Sequence, residues 1–226
     1  MLNNSIKKAL VLAAHPDDET LGMGGTIAKL SASGVEVKVV ILTEGVSSRI
    51  QASPSDLESR KLSCSAAMKI LGVKECFVGS FRDNALDSYP VLELVNWVES
   101  FLIDFKPDTV FATSPFDLNI DHRYVGEIAQ IISRPLPNSS INQLYFYEVR
   151  SSSEWRFIGD SFRPNVYFDI ERTNRIKTLA LNSYQQELRD FPHPRSLNAL
   201  EALSVLRGSE AGYVNAEAFM LGMSRN

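Results

Sequence analysis

At 226 residues, with 44% apolar and 22% charged side chains, the chain can bury a sizeable core and has the composition of an ordinary globular protein. Lysine and arginine number 23 against 27 aspartate and glutamate, a formal charge of −4 with no basic tract, which argues against nucleic acid as a partner. Two cysteines without CxxC spacing exclude a disulfide framework, and no apolar stretch is long enough to span a bilayer.

Lys7-Lys8 before the apolar run Ala9–Ala14 imitates a signal peptide, but the run is too short and cleavage there would cut into the motif that follows. The cytoplasm is therefore the expected compartment. No linker, repeat or charge break divides the chain, so a single domain over residues 1–226 is expected.

Strands are expected near 8–14, 35–43, 74–78, 109–112 and 144–149, with helices between most of them. Leu57–Leu71 and Val91–Phe105 read as helices from their apolar spacing. This alternation predicts an α/β fold with a doubly wound, mostly parallel, Rossmann-like sheet. A C-terminal extension of strand and helix is expected beyond residue 150. It comprises a short strand near Val166–Ile170 and helices near 172–190 and 197–207, the last capped by Ser196 and stopped by Gly208. Gly22, Gly24 and Gly25 do not follow the G-x-G-x-x-G order of a dinucleotide loop. They read instead as close packing of a helix start against the end of the first strand. Cys64, in a helical segment, and Cys76, beside a strand, read as two reduced, buried thiols.

The first strand ends in His15-Pro16-Asp17-Asp18-Glu19. In open α/β sheets that edge is where ligands bind. His15 and Asp18 can meet on one side of a turn, and imidazole and carboxylate are ordinary ligands for zinc or a similar ion. Asp17, offset around the turn, is then free to handle a proton. Helix capping by Asp17 or Asp18 is the competing explanation. Only three histidines are present, and a second one, His122, follows another expected strand within Asp117-Leu118-Asn119-Ile120-Asp121-His122-Arg123. His15, Asp18 and His122 together would leave a coordination position open, as catalytic zinc sites do.

These pieces resemble the PIG-L/LmbE-like family of zinc-dependent N-deacetylases. The resemblance rests on AHPDDE at Ala14–Glu19, LGMGGTIA at Leu21–Ala28, Lys106–Val110 and Asp121-His122. Further matches are Arg60 with Leu71-Gly72, Tyr147-Glu148-Val149, Pro192–Ser196, Arg207-Gly208 and Ala216–Phe219. It implies removal of acetyl groups from N-acetylated amino sugars or their conjugates, of the N-acetylglucosamine type. It also implies a metal on His15, Asp18 and His122, and Asp17 as general base. Zn2+ is the expected ion, with Fe2+ or another divalent metal as alternatives. A small-molecule amino-sugar conjugate is the expected partner, and a homo-oligomer is left open.

One departure stands out. Many members carry His-x-x-His at the second site, where this chain has Asn119. An asparagine can donate a hydrogen bond to an oxyanion but cannot shuttle a proton near pH 7. His193, between Pro192 and Pro194, is the one spare imidazole and a candidate for the acid; a surface loop is its alternative. Asp121 and Glu19 are candidates for holding a ligand imidazole in its tautomer, against a surface carboxylate and a first-turn helix residue. Arg60 matches a substrate-contacting arginine of the family, and Arg82 and Asp83 lie at a strand end where they could bind sugar hydroxyls. Trp155 follows in a loop where it could stack on a sugar ring, but reads more readily as covering core. A metal-dependent esterase or other amidase on the same site, and a non-catalytic α/β binding protein, remain the alternatives.

Overall fold

The computed structural model describes residues 6–48, 51 and 53–225. Seven strands form one sheet: β1 (Lys8–Ala13), β2 (Glu36–Thr43), β3 (Glu75–Phe81), β4 (Thr109–Thr113), β5 (Gln143–Tyr147), β6 (Val166–Asp169) and β7 (Ala216–Ser224). Their spatial order is β3-β2-β1-β4-β5-β7-β6. The first five run parallel, and β7 is antiparallel to both β5 and β6. The fold is thus α/β and mostly parallel, with the antiparallel pair on the C-terminal edge.

β1 is the middle strand of the parallel five, with Ala9 to Ala13 fully buried, which is why it reads as a continuous apolar run. Its alternate residues feed two cores. Ala9, Val11 and Ala13 face the layer of α1 (Asp18–Ala32), α2 (Pro54–Leu71) and α6 (Asn174–Leu181). Leu10 and Leu12 face that of α3 (Val91–Glu99), α4 (Leu102–Phe105) and α5 (Ile120–Ile132). α7 (Leu197–Ala211) packs on β7 and β6.

After β1 the chain winds outward through β2 to β3, then returns to place β4 on the other side of β1. The carboxyl ends of β1 and β4 therefore flank the topological switch point, where α/β sheets open a crevice. This brings residues 15–18 and 117–122 together across a hundred residues of chain.

Several elements differ from expectation. The 91–105 helix is broken at Ser100-Phe101 into α3 and α4. The 172–190 helix ends at Leu181 and gives way to a single tight turn over Asn182–Tyr184. Gly208 does not stop α7: it lies inside the helix, where a side chain would meet the carbonyl oxygens of Tyr213 and Val214. The stop is Gly212, at φ 76°. Ser196 does cap α7, its side chain accepting the Ala199 N–H at 3.1 Å. Gly22 packs α1 on β5 rather than on β1, since a Cβ there would stand 2.2 Å from the Tyr147 ring. Cys64 and Cys76 are free, with Cys76 only half-buried.

α1 is kinked at Met23, whose φ of −147° is not helical. The break leaves the N–H groups of Gly25 and Thr26 to be satisfied by the buried Glu217 carboxylate of β7, at 2.9 and 2.6 Å. Lys177 of α6 donates to the same carboxylate at 2.7 Å. No helix among the described residues is long and apolar enough to cross a membrane.

Candidate metal centre and active site

Three buried atoms form a nearly equilateral triangle at the switch point. His15 Nδ1 and His122 Nε2 each lie 3.2 Å from Asp18 Oδ2, and 3.3 Å from one another. Two ligands about 2.0–2.1 Å from a tetrahedral zinc stand about 3.3–3.4 Å apart, so the triangle has the dimensions of one tetrahedral face. The second Asp18 oxygen, Oδ1, is buried without a hydrogen-bond partner, a costly arrangement that a cation would relieve.

Electrostatics point the same way. Burial works against the Asp18 carboxylate, yet His122 and His15 outweigh it and hold its pKa well below the usual carboxylate range. Burial likewise opposes charge on both histidines, but Asp18 and Asp117 raise His122 to about 9, and Asp18 with Asp121 and Asp83 raises His15 well above its ordinary value. These surroundings favour a positive charge among the three donors, the condition in which a bound cation replaces protons.

Carboxylates on the far side fix the rings. His15 Nε2 lies 3.2 Å from Asp121 Oδ2 and 3.1 Å from Asp83 Oδ1. Asp121 is itself held by the N–H groups of Asn84 and Leu86, at 2.7 and 2.9 Å. His122 Nδ1 stands 3.2 Å from Asp117, which accepts from the hydroxyls of Ser152 and Ser153. Glu19 does not orient an imidazole. Its carboxylate accepts from the Asp17 N–H at 3.1 Å, from Thr20 and from the Tyr184 hydroxyl at 3.0 Å, so it holds the backbone of Asp17 instead.

Asp17 occupies the N-cap position of α1 without capping it. Its φ of 141° lies in a region that side-chain-bearing residues rarely adopt, and the buried carboxylate points toward two arginines. Oδ2 is 3.2 Å from Arg195 Nη1 and 3.5 Å from Arg60 Nη2, while Oδ1 has no hydrogen-bond partner. Burial pushes the Asp17 carboxyl above its ordinary range, against the pull of both arginines.

A cavity of about 440 Å³ opens over these groups. His15, Asp17, Arg60, Asp83 and Asn119 line it, as do Glu187 and Arg195, which sequence reasoning did not assign. Arg60 is buried and pairs with Glu187 at 2.6 Å. Asn119 spends its oxygen capping α5, accepting from the Asp121 and His122 N–H groups at 2.8 and 3.3 Å, and donates from Nδ2 to Asn84 at 2.9 Å.

Three residues lie away from where they were expected. His193 does not line the cavity: its Nδ1 accepts the Arg195 N–H at 3.0 Å and its ring stands edge-on to Trp155. From the Pro192–Ser196 segment it is Arg195 that reaches the site. Arg82 is exposed and also outside the cavity lining. Trp155, 37% exposed, packs on His193 rather than covering core.

The chain is 26% identical over 222 residues to the diacetylchitobiose deacetylase of Thermococcus kodakarensis, covering 95% of this chain and 82% of that protein. It is 24% identical over 243 residues to a 1D-myo-inositol 2-acetamido-2-deoxy-alpha-D-glucopyranoside deacetylase of Rhodococcus erythropolis, covering 95% and 79%. The solved structure of N,N'-diacetylchitobiose deacetylase from Pyrococcus horikoshii, in complex with an inhibitor, superposes with a TM-score of 0.78 at 26% identity, over 98% of this chain and 86% of that one. The family described as PIG-L, GlcNAc-PI de-N-acetylase, matches residues 10–133, which hold both clusters of the donor triangle. The chain belongs to the PIG-L family of de-N-acetylases.

Proposed function

We propose that the protein is a metal-dependent hydrolase that removes the acetyl group from an N-acetylated amino sugar or sugar conjugate of the N-acetylglucosamine type. The observation that carries this reading is the triangle of His15 Nδ1, Asp18 Oδ2 and His122 Nε2 beside the cavity-lining Asp17 carboxylate. Those three atoms would hold one divalent ion, and the two-imidazole, one-carboxylate donor set suits zinc, with ferrous iron as the alternative. Such an ion supplies Lewis acidity toward the amide carbonyl and toward water when bound.

The remaining chemistry belongs to the chain. Asp17 takes the proton of the attacking water on the oxygen that lacks a partner, while Arg195 and Arg60 keep the other oxygen in place. Its raised pKa lets the same carboxyl hold that proton and pass it to the departing amine, so one group acts as base and then as acid. Asp121 and Asp83 on one ring, and Asp117 on the other, keep the lone pairs of His15 Nδ1 and His122 Nε2 turned inward. Asn119 retains one amide hydrogen at the cavity wall, where its role is limited to donating a hydrogen bond. Arg60, buried and paired, serves Asp17 more directly than a sugar hydroxyl; Asp83 stays within reach of substrate at the wall.

Metal analysis of the purified protein, joined to acetate release from N-acetylglucosamine conjugates, tests this reading. One equivalent of metal is expected, with acetate release lost on chelation and restored by zinc. Full activity in the stripped protein, or release from O-acetyl but not N-acetyl sugars, would overturn it.

A further inference from the structure

We propose that the active-site cavity continues into a second subsite, centred on Arg189, that takes an anionic group on the aglycone of the amino sugar. This rests on the deacetylase reading for the sugar itself but on different residues for the aglycone.

The cavity of about 440 Å³ adjoins a groove of about 490 Å³, and Arg189 lines both. The groove wall carries Leu188, Phe191 and Leu197 with the polar Gln185, Ser196 and Asn198. A conjugate seated with its acetamide near Asp17 has somewhere for its second part to go, and must pass Arg189 to get there.

The charges of the cavity wall single out that residue. Arg60 is matched by Glu187 at 2.6 Å and Asp17 at 3.5 Å, and Arg195 by Asp17 at 3.2 Å. Asp83 is matched by His15 and by the Ser48 hydroxyl. Arg189 is the cavity-lining cation that no carboxylate pairs with among the described residues. It is nonetheless held: Nη1 donates to the carbonyls of Gln186 and Leu188 at 2.6 and 2.9 Å. Those two bonds anchor one arm of the guanidinium and leave the rest of the fork for an external acceptor. A planar fork with its charge unspent suits a carboxylate or phosphate, and a fixed one loses less entropy on binding. Asp190 lines the groove but not the cavity, which puts the anion at the junction and not further out.

The test uses the metal-loaded protein and three probes: the carboxymethyl glycoside of N-acetylglucosamine, its uncharged carbamoylmethyl isostere, and N-acetylglucosamine 1-phosphate. The parent protein should prefer the carboxymethyl over the carbamoylmethyl glycoside by about 3- to 5-fold in kcat/KM, mainly through KM, as an exposed charge-assisted contact allows. In Arg189→Gln that ratio should fall to about 1, and in Arg189→Glu it should invert. Because each ratio is internal to one variant, a general loss of folded protein cancels. A larger gain for the 1-phosphate than for the carboxymethyl glycoside identifies phosphate as the natural group, and the reverse identifies carboxylate. A parent ratio near 1, or a ratio unchanged in Arg189→Gln, overturns the proposal. If none of the probes releases acetate, the deacetylase reading fails separately. Calorimetric Kd values for the same glycoside pair then judge Arg189, and equal affinity or no binding overturns the subsite.

Discussion

Asp17 is the residue for which the geometry makes the sharpest forecast, because its backbone strain and its chemistry can be separated by two substitutions. At φ 141° and ψ −25° it sits where glycine is at ease and other residues are not. Holding a side-chain-bearing residue there costs about 1–3 kcal/mol. The conformation persists because both ends of the residue are tied: its N–H donates to Glu19 at 3.1 Å, and its carbonyl accepts from Thr20 and Leu21 at 3.0 and 2.8 Å. Asp17→Gly releases the strain but adds freedom to the unfolded chain worth about 0.5–1 kcal/mol. Asp17→Asn removes the same charge and keeps the Cβ. The glycine variant should therefore be the more stable of the two by about 1 kcal/mol, which for a chain of this length is about 2–4 °C in melting temperature. Both should retain the metal and lose at least about 100-fold in acetate release, the usual scale of a lost acid–base group. Melting curves, metal content and rates on the two proteins suffice. A glycine variant that melts at or below the asparagine variant would refute the strain argument. A rate within tenfold of the parent in either would refute the base.

Other substitutions probe the rest of the site and its support. His122→Ala should lose bound metal and activity together, read by elemental analysis and acetate release; full occupancy would dismiss the donor triangle. His193→Gln should keep the parent rate within about threefold, since the ring faces Trp155 and not the cavity, whereas Arg195→Gln should lower kcat by about tenfold with metal retained, as loss of a charge-assisted contact to Asp17 implies. The reverse ranking would restore His193 to the chemistry. Gly22→Ala places a methyl 2.2 Å from the Tyr147 ring and 2.8 Å from the Glu148 carbonyl, and should cost about 2–3 kcal/mol in a denaturant titration. An unchanged midpoint would show that α1 shifts freely on β5.

What the sequence made legible was local. The apolar runs of β1, β2 and β4 are buried on both faces and so stand out without any knowledge of their neighbours. The two polar clusters that follow β1 and β4 each carry their chemistry within a few residues. What escaped depends on distant contacts. β7 is an antiparallel strand one in from the edge whose C-terminal half is largely exposed, and its mixed composition, broken by Gly222, carries weak strand signal. The break after Leu181 exists because Tyr184 turns inward toward Glu19, a partner 165 residues away. Gly208 looked like a helix stop because glycine often is one; here the same lack of a side chain serves the close approach of the Tyr213 and Val214 carbonyls. Arg195 and Glu187 reach Asp17 and Arg60 only through the folded arrangement of the C-terminal segment. His193, chosen as the spare imidazole, was two residues from the side chain that enters the site.

The carboxylate that β7 lends to the kinked first helix sets an order of events during synthesis. Glu217 lies 192 residues after Gly25, beyond the stretch that matches the family and carries every donor of the triangle. A nascent chain that has already exposed His15, Asp18 and His122 still has bare N–H groups at Gly25 and Thr26. Until β7 docks, the part of α1 beyond the Met23 kink lacks the acceptor for those two groups. A ribosome-stalled chain ending before Glu217 is therefore expected to hold a divalent ion far more loosely than the released protein.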